Sequence, residues 1–201
     1  MGQRTVSVSK TVTGTEHKTT SGDFSPAKLS LFSTEIGWCG LVGTAGTVER
    51  LCMGHHSQAD VRQTVRRLYS GDHVDESEEI EEANWYPELR ERLQNYFQGA
   101  KVDFRDIQLR LPRLTAFQSR VISALKQIGY GKQITYGELA AKAGAPRAAR
   151  AVGTVMASNR IPVLIPCHRV IASGGKLGGF SAPQGTSLKQ HLLTMEAMAR
   201  D

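Results

Sequence analysis

Residues 135–158 read TYGELAAKAGAPRAARAVGTVMAS. Thr135 supplies the hydroxyl that suits a helix N-cap, which predicts a short helix from Tyr136 to Ala143. Gly144-Ala145-Pro146 interrupts it, and the pattern resumes as helix from Arg147 to Ser158. Two helices joined by a tight, glycine-containing turn make a helix-turn-helix. The second helix carries Ala148, Ala149, Ala151 and Gly153, with Arg147 and Arg150 among them. Small side chains let a helix come close to another surface. For Ala151 and Gly153 that surface is readily another helix of the same domain; this explanation is weaker on the arginine-bearing side.

Directly downstream runs Ile161-Pro162-Val163-Leu164-Ile165-Pro166-Cys167-His168-Arg169-Val170-Ile171. Two prolines frame an apolar stretch and deliver Cys167 at a fixed backbone geometry. A thiol is a useful nucleophile only in so far as it is thiolate; its free pKa is roughly 8.5, and cations or helix N-termini lower it. His168 and Arg169 follow at once, but adjacency in sequence does not ensure contact. Taken alone, a Cys-His pair is better read as a buried, inert cysteine.

Upstream, Pro112 marks a boundary. After it, Thr115 suits an N-cap, and Phe117, Val121, Leu125 and Ile128 share a helical face before Gly129. Before it, Leu29, Leu31 and Ser33 alternate with their neighbours until Gly37. Cys39–Val42 and Val48–Met53 follow, which predicts a short antiparallel meander. Ala59–Tyr69 has helical spacing. Residues 75–82 are acidic and predict a loop. Pro87–Phe97 predicts a second helix, with Leu89, Leu93, Tyr96 and Phe97 on one face and Gly99 as its stop. Phe104–Leu111 reads as a further strand. Residues 1–25, rich in Ser, Thr, Lys and Gly, read as a flexible tail. The expected organisation is α+β, with the tail, an N-terminal α/β domain over residues 26–111 and a helical C-terminal domain over residues 112–201.

The chain has 201 residues, 40% hydrophobic and 22% charged, in the ordinary range of a globular protein. Its basic character is not uniform: residues 112–201 hold 12 Lys/Arg against 3 Asp/Glu, and residues 1–111 hold 13 against 16. A basic C-terminal half beside a slightly acidic N-terminal one suggests a polyanion partner for the former. No apolar run approaches the roughly 20 residues that span a bilayer, and the polar start predicts no signal peptide. Three widely spaced cysteines argue against a disulfide framework and fit a reducing cytoplasm, or a nucleus in a eukaryotic source.

The block from about Phe117 to Glu196 resembles the O6-alkylguanine-DNA alkyltransferases, also called methylated-DNA–protein-cysteine methyltransferases. Pro166-Cys167-His168-Arg169-Val170 matches the active-site motif of that family at every position. Thr135-Tyr136, the run Ala148 to Gly153, Asn159 and Gly178 to Ser181 match at the family's spacings. The resemblance implies a ribonuclease-H-like N-terminal domain with a small antiparallel sheet, and a winged-helix-like C-terminal domain. It implies stoichiometric transfer of the alkyl group of O6-alkylguanine to Cys167, with O4-alkylthymine a further candidate substrate. His168 would take the thiol proton through a water and Glu196 would orient His168. Asn159 would brace the turn before the active-site segment, and Tyr136 would protonate the leaving base. Met156, Pro162 and Phe180 would wall the base pocket, with Val170 and Ser181 reading the base edge through backbone groups. Thr135, Arg147, Ala148, Ala149 and Arg150 are the implied DNA contacts. Arg150 would fill the gap left by a flipped base, and the small residues would suit a minor groove about 6 Å wide. The implied partner is duplex DNA carrying alkylated guanine, bound by a monomer, with cooperative binding along DNA left open.

No cofactor is expected, because the lesion is itself the alkyl donor and no glycine-rich cofactor fingerprint is present. No metal is expected either. Cys39, Cys52, His55 and His56 follow no standard zinc spacing; the cysteines read as ordinary strand residues and the histidines as a turn after Gly54. The loop from Ser181 to Thr186 is longer than in some relatives and borders the implied pocket. Three other classes compete with this reading. A non-catalytic lesion-binding protein would lack the acceptor thiol, which Cys167 argues against. A helix-turn-helix regulator would carry a fused regulatory domain or a metal-binding cysteine cluster, and neither is visible. A thiol peptidase would need a separated His and an oxyanion site.

Overall fold

The computed structural model describes residues 26–70 and 80–199. The polar tail and the acidic run up to residue 79 lie outside the described residues. The predicted meander is present as β1 (Lys28–Thr34), β2 (Gly37–Thr44) and β3 (Thr47–His55), paired antiparallel in sequence order. Gly43 lies at a register shift between β2 and β3; a Cβ there would lie 2.1 Å from the carbonyl oxygen of Thr47. Helix α1 (Gln58–Ser70) follows, packed on β2 and β3, and returns the chain to the free edge of β1. There β4 (Glu81–Glu82) pairs parallel to β1, so the sheet order is β3-β2-β1-β4. The sheet is therefore mixed, not purely antiparallel as expected. The helical crossover is the reason: it brings the chain back to run in the direction of β1. Part of the expected acidic loop is this strand.

Helix α2 (Pro87–Phe97) has the predicted bounds, with Pro87 in the first turn. The strand expected over Phe104–Leu111 reduces to a single bridge, between Val48 and Leu109. The outer edge of β3 is shared: Val48 bonds to Gln108 and Arg110, whereas the Leu51 N–H donates to the carbonyl of Arg160 at 3.0 Å. That leaves no room for a longer ladder.

Beyond Pro112, α3 (Ala116–Lys126) and α4 (Tyr136–Lys142) each begin with a capping box, formed by Thr115 with Gln118 and by Thr135 with Glu138. Helix α5 (Ala149–Ala157) starts two residues later than predicted, because Gly144 is left-handed at φ 74° and Pro146 and Arg147 occupy a turn. The short strands β5 (Ile134–Thr135) and β6 (Val170–Ile171) pair in parallel across this helical half, and α6 (Gly185–Met198) closes it.

The cores do not divide at Pro112. The cluster around Leu41, Leu89, Leu93 and Tyr96 also takes in Ile161, Val163, Leu164, Leu188 and Leu192. Two segments of the C-terminal half are thus seated in the N-terminal core, and the active-site segment lies at the seam. Among the described residues no helix is long and apolar enough to cross a membrane.

Candidate active site

Asn159 fixes the turn that leads from α5 to the cysteine. Its Nδ2 donates to the Ile165 carbonyl at 2.9 Å, and its Oδ1 accepts from the Ile161 N–H at 3.0 Å. Between these anchors Val163 adopts φ 72°. A β-branched residue rarely takes that left-handed conformation, so the surroundings must impose it. Buried Ile161, Leu164 and Ile165 and the Asn159 clamp do so. Cys167 then opens a 3₁₀ turn, Cys167–Arg169, at the wall of a cavity of about 810 Å³.

Of the residues implied for the base pocket, Met156, Pro162, Phe180 and Ser181 line this cavity, together with Tyr136, Asn159 and Cys167. Val170 does not. Its side chain is in the core, and its carbonyl accepts from Lys189 Nζ at 2.6 Å. Val170 pairs with Ile134 across the two short strands, and the role implied for it is one of its backbone, not of this buried side chain. Gly178, at φ 71°, lies against Tyr136; a Cβ there would be 2.9 Å from the Tyr136 hydroxyl oxygen. The glycine lets its backbone brace the tyrosine ring.

Cys167 is buried, with 7% of the residue exposed. Burial pushes its pKa up; a hydrogen bond with Asn159, the positive charge of Lys189 and backbone N–H groups act against that, and the net direction is upward. At rest the sulfur is mainly protonated, so attack requires a base.

His168 is fully buried, and its Nε2 lies 2.9 Å from Glu196 Oε1. Burial drives the imidazole pKa down while Glu196 opposes it, with a net lowering. A neutral ring with Nε2–H facing the carboxylate leaves the Nδ1 lone pair available, and Nδ1 is buried with no hydrogen-bond partner among the described residues. Glu196 is held on every side. Arg169 donates from Nε to Oε2 at 3.0 Å and from Nη2 to Oε1 at 2.8 Å, the Gly131 N–H donates to Oε2 at 3.0 Å, and the Tyr96 hydroxyl donates to Oε1 at 2.6 Å. Although burial pushes this carboxyl up, the hydrogen bonds from His168 and Arg169 and the charge of Arg169 hold it well below the usual carboxylate range.

Three residues of this centre had no role in the sequence reading. Arg169 was read only as part of the motif; it locks Glu196 and also donates from Nη1 to the Ile128 carbonyl at 2.6 Å. Lys189 is buried and lies 5.9 Å from the Tyr136 ring centre. Its spacing gave a signal: Lys189, Leu192, Leu193 and Glu196 follow the i, i+3, i+4, i+7 pattern of one helix face, so two charged residues stand among apolar ones. Tyr96 gave none, being an aromatic residue on an apolar face.

Of the implied nucleic-acid contacts, Arg150 is exposed on α5 and Arg147 is exposed in the preceding turn, outside the helix. Ala148 and Ala149 at the start of α5 are half-buried. Thr135 spends its hydroxyl on the cap of α4. Cys39 and Cys52 are buried in β2 and β3, where burial drives their thiols up to about 12 and about 11. Among the described residues, no group of three or more His, Cys, Asp or Glu could hold a metal ion.

The family model of the 6-O-methylguanine DNA methyltransferase DNA-binding domain matches residues 116–198. The methylated-DNA–protein-cysteine methyltransferase of Methanosarcina acetivorans is 42% identical over 117 residues, which are 58% of this chain and 72% of that protein. The O6-methylguanine methyltransferase of Mycobacterium tuberculosis is similar in structure, with a TM-score of 0.69 and 31% identity over 87% of this chain and 95% of that one. A second Mycobacterium tuberculosis structure, of the same type of protein in complex with DNA, has a TM-score of 0.67 and 32% identity over 85% and 92% of the two chains.

Proposed function

The chain belongs to the methylated-DNA–protein-cysteine methyltransferase family, and on that premise we propose that it repairs DNA by moving the alkyl group of O6-alkylguanine onto Cys167. The observation that carries this reading is the buried thiol at the wall of a cavity large enough for a base, backed by the His168–Glu196 pair. Duplex DNA is the substrate, with the damaged base rotated out of the stack into the cavity. Arg150, exposed on α5, takes the place of the flipped base, and Arg147 and the first turn of α5 contact the backbone. The protein acts as a monomer.

The thiol proton passes to His168 Nδ1 through a water. Cys167 Sγ attacks the alkyl carbon, the carbon–O6 bond breaks as the carbon–sulfur bond forms, and its electron pair stays with the guanine. Tyr136 supplies a proton to N3 of the departing base. The product is a thioether, so each molecule acts once. The sheet order β3-β2-β1-β4, with β4 parallel to β1, supports a ribonuclease-H-like reading of the N-terminal half. The helix-turn-helix with the β5-β6 pair supports a winged-helix-like reading of the C-terminal half.

The test is intact-mass measurement after incubation with duplex DNA carrying O6-methylguanine. The expected result is a gain of one methyl group, about 14 Da, on Cys167, with saturation at one group per protein. No adduct under conditions where the DNA binds would refute the reading.

A further inference from the structure

The His168–Glu196 pair is completed from the other half of the chain. Tyr96 lies on α2, outside the segment that the family model matches, and is fully buried. Its hydroxyl donates to Glu196 Oε1 at 2.6 Å and lies 3.2 Å from His168 Nε2. We propose that Tyr96 is a positioning residue for the transfer: its hydroxyl shares the carboxylate oxygen that holds His168, and so sets how strongly Glu196 draws the His168 proton. This rests on the reading of His168 as the base.

Packing does not account for the hydroxyl. The Tyr96 ring stands edge-on to Phe97, Phe104 and Tyr130 at centroid distances of 5.3, 5.8 and 5.9 Å. A phenylalanine would make each of those contacts. Among the described residues, the hydroxyl itself hydrogen-bonds only to the relay. Because it donates its single proton to Glu196, its lone pairs are left to face Nε2–H, so both neighbours of that hydrogen are acceptors. This favours the tautomer with a free Nδ1.

The charged and titratable groups around His168 come from four places. Glu196 and Lys189 lie on α6, Arg169 and Cys167 in its own turn, Tyr96 on α2, and Tyr130 in the loop after α3, where its ring faces Arg169. Removing the Tyr96 hydroxyl takes one donor from Glu196 and leaves the others. The carboxylate then attracts the imidazolium more strongly. The 3.2 Å contact to Nε2 is lost as well, which works the other way, but the 2.6 Å bond is the shorter and decides the sign.

The experiment is the pH dependence of single-turnover methyl transfer by the full chain, with the fraction of competent protein counted by mass. For Tyr96→Phe the midpoint of the rise in rate should move up by about half to one pH unit. Below the midpoint the rate should fall by about three- to tenfold, and above it the rate should be unchanged. A role confined to folding would lower the competent fraction or scale the rate evenly at all pH values. Incorporation of 3,5-difluorotyrosine at Tyr96 strengthens the donor without removing it, and should move the midpoint down; this holds the test should Tyr96→Phe fail to fold. A midpoint that disappears in His168→Asn but stays in place in the Tyr96 variants overturns the Tyr96 assignment alone. A midpoint that survives in His168→Asn removes His168 as the base and this inference with it.

Discussion

Glu196→Gln keeps the shape of the side chain and removes its charge, which makes it a sharp probe of the buried centre. In the native protein the carboxylate faces Arg169, whose side chain is 10% exposed, while its own is 1% exposed. Breaking one partner of such a buried pair costs about 3–5 kcal/mol, because the other charge is left in a poor solvent. The Tyr130 ring, 5.8 Å from the Arg169 guanidinium, retains part of the stabilisation and argues for the lower end, about 3 kcal/mol. For a chain of this length that corresponds to a fall in Tm of about 6–12 °C at neutral pH. The pH dependence is a second handle. The Glu196 pKa is depressed on folding, so its stabilisation is fully present above its ordinary value of 4.5 and is lost as pH falls through the folded value. The gap between native protein and variant should therefore narrow below pH 4.5. His168 is also depressed on folding, from 6.5, and costs stability as the pH drops below that value. Without the carboxylate this loss deepens, so the gap should widen between 6.5 and 4.5 before it narrows. Thermal unfolding followed by circular dichroism from about pH 3 to about pH 8 reads all three features. A Tm change under about 2 °C, with parallel pH profiles, would refute the account of the centre as a charge-paired relay.

Asn159→Ala leaves the Ile161 N–H and the Ile165 carbonyl without their partner, and urea denaturation should show a loss of about 2–4 kcal/mol. Gly178→Ala pushes a methyl into Tyr136 and strains a left-handed residue; single-turnover assays should show transfer slowed by about tenfold or more while affinity for duplex DNA stays within about twofold. Lys189→Met removes the cation that offsets the burial of Cys167, so alkylation of the free protein by iodoacetamide, followed by mass at constant pH, should slow by about tenfold.

Where local physics decided the outcome, the sequence was readable. Pro87 and Gly99 bracket α2, and Thr115 and Thr135 cap their helices, because each of these signals acts within one turn. The cluster of Cys167, Asn159, Met156, Pro162 and Phe180 was also legible, since the motif fixes the turn that gathers it. What was hidden depended on contacts between distant segments. The strand over Phe104–Leu111 shrank to a bridge because the Arg160 carbonyl competes for the edge of β3. The side chain of Val170 faces the core and not the cavity, next to its pairing with Ile134 far upstream. Glu196, which rested on family resemblance alone, proved to be the most heavily bonded side chain of the site, through Tyr96, Gly131, His168 and Arg169.

The resting state of Cys167 follows from the same burial. An exposed low-pKa thiol would react with any small electrophile, and a protein that acts once loses a molecule each time it does. Here burial keeps the sulfur protonated, while Lys189 and Asn159 temper that effect without reversing it. His168, the proposed base, is likewise kept neutral by burial and aimed by a carboxylate that its neighbours hold ionised. Neither group is activated in isolation. In the proposed reaction, nucleophile and base become effective only when a substrate fills the cavity and the proton has a path to His168. Selectivity for the lesion then comes from two sources: the free energy needed to extrude a base, which is smaller for a damaged one, and a thiol whose reactivity depends on the occupant of its own pocket. Iodoacetamide, which does not fill the cavity, should therefore alkylate Cys167 more slowly than a free thiol at the same pH, even though the sulfur is the acceptor in the proposed reaction.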